Sequence, residues 1–229
     1  MSGVLVDGEV QTKEVTYMPF GPEADFTFGA DALNVNRTYY DNYYRLESID
    51  AGVLNYQYTY YADGNVKTID GLPPPGSSGG LTEYEYPAGN RLDRSTGYQA
   101  AIYTYDNNGN ITSDGTLTYH YNQNNRLSEV KIGATVIAKY AYDGFNRRIK
   151  KVVIASGEII HYHYDLQGNL LSETKGDTTP LRDYIYQNGN LIAIKIYGDQ
   201  AGLYYVICDH LGTPQQIVNT SGVVVWKAA

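Results

Sequence analysis

The sequence predicts an all-β protein assembled from a repeated hairpin, and three observations carry that expectation. A phrase of the form Tyr-x-Tyr-Asp-x-x-Gly-Asn-(Leu/Ile) recurs along the chain, with substitutions at each position. Tyrosine, a strong strand former, occurs 25 times against 4 phenylalanines and 1 tryptophan. No long apolar segment with the 3.6-residue period of an amphipathic helix is present.

The units follow one another in order. They are "YDNYYRLESI" from Tyr40, "YTYYADGNVKTI" from Tyr58, "YEYPAGNRL" from Tyr84 and "YTYDNNGNI" from Tyr103. Next come "YHYNQNNRLSEV" from Tyr119, "YAYDGFNRRIKK" from Tyr140, "YHYDLQGNLLSE" from Tyr162 and "YIYQNGNLIAI" from Tyr184. A ninth, "VICDHLGTPQQIV", places Val206 and Cys208 where the two tyrosines normally fall. Within a unit, Tyr162 and Tyr164 share one strand face because they are two apart. Asp165 to Gly168 suits a type I turn, with the carboxylate reaching the backbone two residues on and Gly168 taking the left-handed conformation. Asn169 and Leu170 then begin the return strand, so each phrase is the turn chemistry of a hairpin. The same reading makes structural residues of Tyr103, Tyr105, Asp106 and Gly109; of Tyr140, Tyr142 and Asp143; and of Tyr184, Tyr186 and Gly189. In the last unit it selects Asp209, His210, Gly212 and Pro214.

Nine hairpins supply roughly 18 strands, a ribbon roughly 85 Å wide if laid flat. Open twisted sheets seldom exceed about 10 strands, so the sheet must curl, split or close into a hollow shell or part of a spiral. A β-propeller of four-stranded blades is the competing solution. The whole of 1–229 reads as one repeat domain: an entry segment with the first repeat at 15–50, an inserted flexible loop "GLPPPGSSGG" at 71–80, and a closing element at 206–226.

Bulk properties narrow the function. A net charge of −8 argues against an electrostatic nucleic-acid binder. No apolar run approaches a membrane span, and no secretory signal is visible at the start. One cysteine permits no intrachain disulfide. Cys208, Asp209 and His210 are consecutive on an extended segment and point to alternate faces, which opposes a nucleophilic relay. His161 and His163 share a strand face, but no third ligand stands in register, so no metal or other cofactor is expected. Tyrosines at this spacing form a cross-strand ladder that stabilises the sheet, and could also present an amphipathic wall to polypeptide or glycan.

The array resembles the YD-repeat or Rhs family. The resemblance rests on "VTYMPFGPEADFTFGADALNVNRTYYDNYYRLESI" (15–49), on the consecutive units at 103–130 and 142–151, and on "CDHLGTPQQIVNTSGVVVW" (208–226). It covers residues 15–227 and implies a strip of hairpins spiralling into a cocoon that, in bacterial members, encloses a C-terminal toxin domain. It further implies secretion or display at the cell surface, with a polypeptide cargo or the rest of a parent shell as partner. The sequence stops at Trp226-Lys227-Ala228-Ala229, before the Asp-Pro-x-Gly-like segment of the family's self-cleavage. The expectation is therefore a non-catalytic shell segment of a longer protein, without self-cleavage, that can self-associate through sheet edges. A surface module binding carbohydrate or protein, and a hydrolase on a propeller, are the alternatives.

Overall fold

The computed structural model of the chain describes residues 5–6, 9–10, 12–19, 21–29, 33–40, 43–52, 54–71, 80–87, 90–209 and 212–228. Among them lie 24 strands and no helix. A short hairpin pairs β1 (Leu5–Val6) with β2 (Glu9–Val10). The first sheet has nine strands: β3 (Thr12–Lys13), β4 (Asp25–Phe28), β5 (Leu33–Tyr40), β6 (Arg45–Ala51), β7 (Leu54–Tyr60), β8 (Val66–Asp70), β9 (Thr82–Glu85), β10 (Arg94–Gly97) and β11 (Ala101–Ile102). The second has thirteen. It begins with β12 (Thr104–Tyr105), β13 (Ile111–Ser113), β14 (Leu117–Tyr121), β15 (Leu127–Ile132), β16 (Thr135–Tyr142) and β17 (Arg148–Val153). It continues with β18 (Glu158–Tyr164), β19 (Leu170–Lys175), β20 (Pro180–Gln187), β21 (Asn190–Ile196), β22 (Gly202–Cys208), β23 (Pro214–Asn219) and β24 (Val224–Lys227).

In both sheets every strand pairs antiparallel with its neighbours in sequence. That meander replaces the four-stranded blades of the propeller alternative. The strand number exceeds the roughly 18 expected for three local reasons. Four strands precede the first unit, β24 follows the last, and the ladder breaks at Tyr103, between β11 and β12. At the break, the Tyr103 N–H donates to the Asp93 carbonyl at 2.9 Å, one residue beyond the β10–β11 pairing, and β12 pairs with β13 alone. The stretch 71–80 lies inside a hairpin, since β8 and β9 pair across it with Thr68 opposite Glu83 and Ile69 opposite Thr82. Residues 72–79 themselves lie outside the described residues.

Cross-strand partners share a sheet face, so the registers sort side chains into two sets. One set is the tyrosine face: Phe26, Val35, Ile49, Tyr56 and Tyr58 in the first sheet, and Tyr140, Tyr162, Tyr184 and Val206 in the second. The opposite, reverse face of β20 to β24 carries Ile185, Ala193, Tyr205, Ile207 and Val218. The main core joins these unlike faces: Phe28, Val35, Leu46, Ile49, Tyr56 and Tyr58 form one buried cluster with Ala193, Tyr205, Ile207 and Val218. Phe28 stacks on Tyr205 with ring centroids 4.9 Å apart. The strip therefore laps over itself front to back, as a rolled sheet does, with its first strands covering the reverse side of its last.

Polar contacts lock the lap. The Thr12 hydroxyl donates to Gln187 Oε1 at 2.6 Å. Arg37, buried and stacked over Phe26, donates from Nη2 to the Cys208 carbonyl at 2.9 Å and lies 3.8 Å from Glu23. Within the lapped strands Gln216 is fully buried, yet neither atom of its amide has a hydrogen-bond partner. Such a group typically costs about 1–3 kcal/mol.

Candidate functional site

The turns are built as the sequence suggests. Gly109 N–H donates to the Asp106 carbonyl at 3.1 Å, Gly168 to Asp165 at 3.2 Å, and Gly212 to Asp209 at 3.1 Å. These glycines have φ of 85°, 93° and 79°, the left-handed region that suits a residue without Cβ. Each aspartate is the hub of its turn. Asp165 Oδ1 accepts the Asn169 N–H at 2.8 Å while Oδ2 accepts the Asn169 side-chain N–H at 2.8 Å. Asp106 and Asn110 repeat this arrangement, and at Asp143 the Arg147 Nε–H takes the place of the asparagine amide. The Asn169 and Asn110 amides, with neighbouring backbone N–H groups, hold the Asp165 and Asp106 carboxyls below the ordinary carboxylate value.

The unit from Tyr184 departs from this plan. It lacks the aspartate and is one residue shorter before its leucine, so Gln187 pairs directly with Asn190 around a two-residue Asn188-Gly189 loop. Asn188 and Gly189 have φ of 49° and 82°, the pair of positive values that a type I′ turn requires. Pro214 begins β23 opposite Cys208. His210 lies outside the described residues.

A feature invisible in the motif joins successive units. The second tyrosine of a unit donates its hydroxyl to the carbonyl of the residue at the Leu/Ile position that ends the motif of the preceding unit. Tyr60 reaches Leu46 at 2.8 Å, Tyr121 reaches Ile111 at 2.8 Å, and Tyr142 reaches Leu127 at 2.8 Å. Tyr105 reaches Leu92 at 2.5 Å, Tyr164 reaches Arg148 at 2.9 Å, and Tyr186 reaches Leu170 at 3.1 Å. Cys208 holds the same position in the ninth unit, and its Sγ lies 3.6 Å from the Leu191 carbonyl. Burial pushes these phenols up, so they remain protonated donors, and it pushes the Cys208 thiol to about 12. A buried thiol of that kind is a poor nucleophile.

First-position tyrosines make side-chain contacts instead. The Tyr119 hydroxyl donates to Asp114 at 2.6 Å, and that of Tyr184 donates to Glu173 at 2.6 Å. Glu173 also accepts Arg182 Nη1 at 2.6 Å. Tyr140 and Tyr162 flank the Arg148 guanidinium at 5.5 and 4.6 Å. Tyr103 lies at the break between the sheets, in a concavity of about 550 Å³ with Asp114, Tyr119 and Tyr121.

No catalytic constellation assembles from these groups. Asp209 uses its carboxylate to accept the Thr213 N–H and the Gln215 side chain. His163 contacts Thr174 at 3.0 Å, and no group of three metal-ligating side chains occurs among the described residues. The repeat's distinctive surface is the tyrosine face. Sequence reasoning placed its tyrosines on a common face but missed the hydroxyl stitch and the lap, because both depend on which strand lies across from which.

Fold and stitched turns together define a YD-repeat shell segment. A profile of the Teneurin YD-shell family matches residues 23–228, and the chain belongs to that family. Mouse teneurin-1 is 27% identical over 201 residues, 77% of this chain and 7% of that protein. The Bacillus spizizenii tRNA3(Ser)-specific nuclease WapA is 30% identical over 175 residues, 75% of this chain and 7% of its own length. The chain thus spans a small part of these relatives. Among solved structures, the Photorhabdus luminescens Tc holotoxin pore aligns with a TM-score of 0.57 at 15% identity, over 95% of this chain and 15% of that one. TcdB2-TccC3 gives 0.56 at 15% identity, over 96% and 16%. The likeness to these shells is one of fold.

Proposed function

We propose that this chain is a non-catalytic wall segment of a larger YD-repeat shell, whose tyrosine face encloses or displays polypeptide belonging to the same parent. One observation carries the reading: the strip curls and laps front to back, yet no side chain of β13 to β19 enters either buried cluster, so the tyrosine face there is packed only within its own layer. In the first sheet the same face is covered by another layer of polypeptide. A parent of this kind would be secreted or held at the cell surface. The outer edge of β24, where Val225 and Trp226 are exposed, would join further shell or a second copy of the chain.

The reading is tested by tethering a neutral, unstructured segment of about 60 residues after Ala229, which brings it to millimolar effective concentration. A photo-crosslinking residue then replaces either Tyr140 on the tyrosine face or Ile159 on the reverse face. Crosslinks to the tether are expected from position 140 and not from 159. Equal yields from both positions, or none from 140, would remove the enclosing role.

A further inference from the structure

We propose that the tyrosine face of β16 to β19 is selective for acidic stretches of extended polypeptide, with Arg148 as its anchor and Lys151 beside it; this rests on the wall reading above. Arg148 is exposed and sits between two rings, 4.6 Å from the Tyr162 centroid and 5.5 Å from that of Tyr140. Stacked rings fix the guanidinium plane and leave its edge N–H groups free to grip a carboxylate in a bidentate fashion. Its backbone is fixed as well, because the Tyr164 hydroxyl donates to the Arg148 carbonyl. No carboxylate of the described residues lies within ion-pair distance of Arg148.

The surroundings favour the same ligand. Lys151 is paired with Tyr140 and so emerges on the same face. Of the two carboxylates there, Glu173 is already held by Arg182 and Tyr184, and Glu158 stands at the end of β18. Residues 126–175 carry eight Lys and Arg against five Asp and Glu, whereas residues 1–125 carry six against sixteen. On the tyrosine face itself β16 to β19 carry Arg148, Lys151 and Lys175 against Glu158 and Glu173, so basic groups outnumber carboxylates there and the face is complementary to acidic polypeptide. Polypeptide is favoured over nucleic acid because the face offers one ring-held guanidinium with a lysine beside it, not the row of basic groups that neutralises a regular phosphate backbone.

Adjacent lysines on opposite faces supply the control. Binding to the full chain is measured by fluorescence anisotropy for a labelled peptide of about 12 residues alternating Glu and Thr, roughly 40 Å when extended. The comparison ligands are its Gln-for-Glu counterpart and a single-stranded oligothymidylate. The acidic peptide should bind more tightly than the Gln peptide. Its affinity should fall about fivefold in Arg148→Gln and less in Lys151→Gln, consistent with losing one partly exposed charge pair. Lys150→Gln, on the reverse face, should change nothing. Unchanged thermal midpoints show that the variants are folded.

Equal binding of the two peptides, no binding of either, or equal losses in Lys150→Gln and Lys151→Gln would overturn the selectivity. Oligothymidylate binding as tightly with the same Arg148 dependence would overturn the choice of polypeptide. Crosslinking of the neutral tether is independent of charge. If it succeeds while the acidic peptide shows no preference over the Gln peptide, the acidic selectivity falls and the wall reading stands.

Discussion

The lapped part of the strip and its single-layer part are made from the same repeat, yet they are stabilised differently. In the lap, Phe28, Leu46, Ile49 and Ile207 are fully buried and Tyr56 almost so, all within one cluster fed by both sheets. Along β14 to β19 the buried apolar residues are Val130, Ala138, Ile160 and Tyr162, and none belongs to either cluster. Tyr162 loses its solvent to Arg148, a neighbour in the same layer. Polar contacts hold this region instead, including Glu129 with Lys139 at 3.1 Å, Glu173 with Arg182, and the tyrosine hydroxyls. The repeat fixes the strands, and contact between layers determines which of them acquire an apolar core.

The largest test compares truncations in the two regions. Phe28→Ala removes a fully buried ring stacked on Tyr205 and should cost about 3–5 kcal/mol in urea unfolding. Tyr140→Ala removes a half-buried ring from the single layer, where roughly half that loss is expected from the smaller area withdrawn from water. Similar losses at the two sites would mean that the strip is covered in solution and that the contrast is false.

Local chemistry was legible in the sequence where it is local in the chain. Asp106, Asp165 and Asp209 sit in the turns their Asp-x-x-Gly spacing suggests, because an aspartate bonding backbone within four residues needs no distant partner. The all-β class followed from the same spacing. The two-residue turn at Asn188-Gly189 differs from its neighbours' turns, and the missing aspartate of that unit is the sequence signal for the difference. The role of Arg37 had no signal at all. It lies 171 residues from Cys208 in the chain, and only the lap brings them together. Seven of nine stitch positions are tyrosine or cysteine with a recorded partner, but the acceptor is a backbone carbonyl, which leaves no trace in residue identity.

A smaller effect separates the stitches themselves. Tyr164→Phe deletes an exposed hydroxyl bond to Arg148, whose carbonyl can turn to water, so a loss of about 1 kcal/mol or less is expected. Tyr60→Phe deletes the equivalent bond to Leu46 beside the lapped core, where burial has already pushed the phenol to about 12. Its acceptor is less able to recruit water, and about 1–2 kcal/mol should be lost. Chemical unfolding of both single variants measures the difference. Equal, negligible losses would show that the hydroxyls merely occupy space between units.

The smallest expected effect at neutral pH, and the most specific, concerns the aspartate turns of the single layer. At Asp165 the Asn169 side-chain N–H leads the causes that hold the carboxyl below its ordinary value; at Asp106 the Asn110 side chain does the same. At Asp143 desolvation pushes upward, but the Arg147 and Phe145 N–H groups and the Arg147 charge hold the carboxyl low. A folded pKa below the unfolded one means the native state favours the ionised form. The contribution is therefore complete above the unfolded value near ~4 and is lost as pH falls through the lower folded value. The protein itself contains the informative substitution. Asn122 occupies the aspartate position of its unit, and its Oδ1 accepts the Asn124 and Arg126 N–H groups at 2.9 and 3.0 Å; Asn219 does likewise for Ser221 and Val223. Asp165→Asn should therefore keep the turn and nearly all stability near pH 7. What it should change is the acid limb: thermal midpoints recorded from about pH 6 down to about pH 2 should fall less steeply than in the parent. A variant weakened at neutral pH with the parent's acid slope would show that the turn depends on the second carboxylate oxygen accepting the Asn169 amide, and that the acid sensitivity of the strip arises elsewhere.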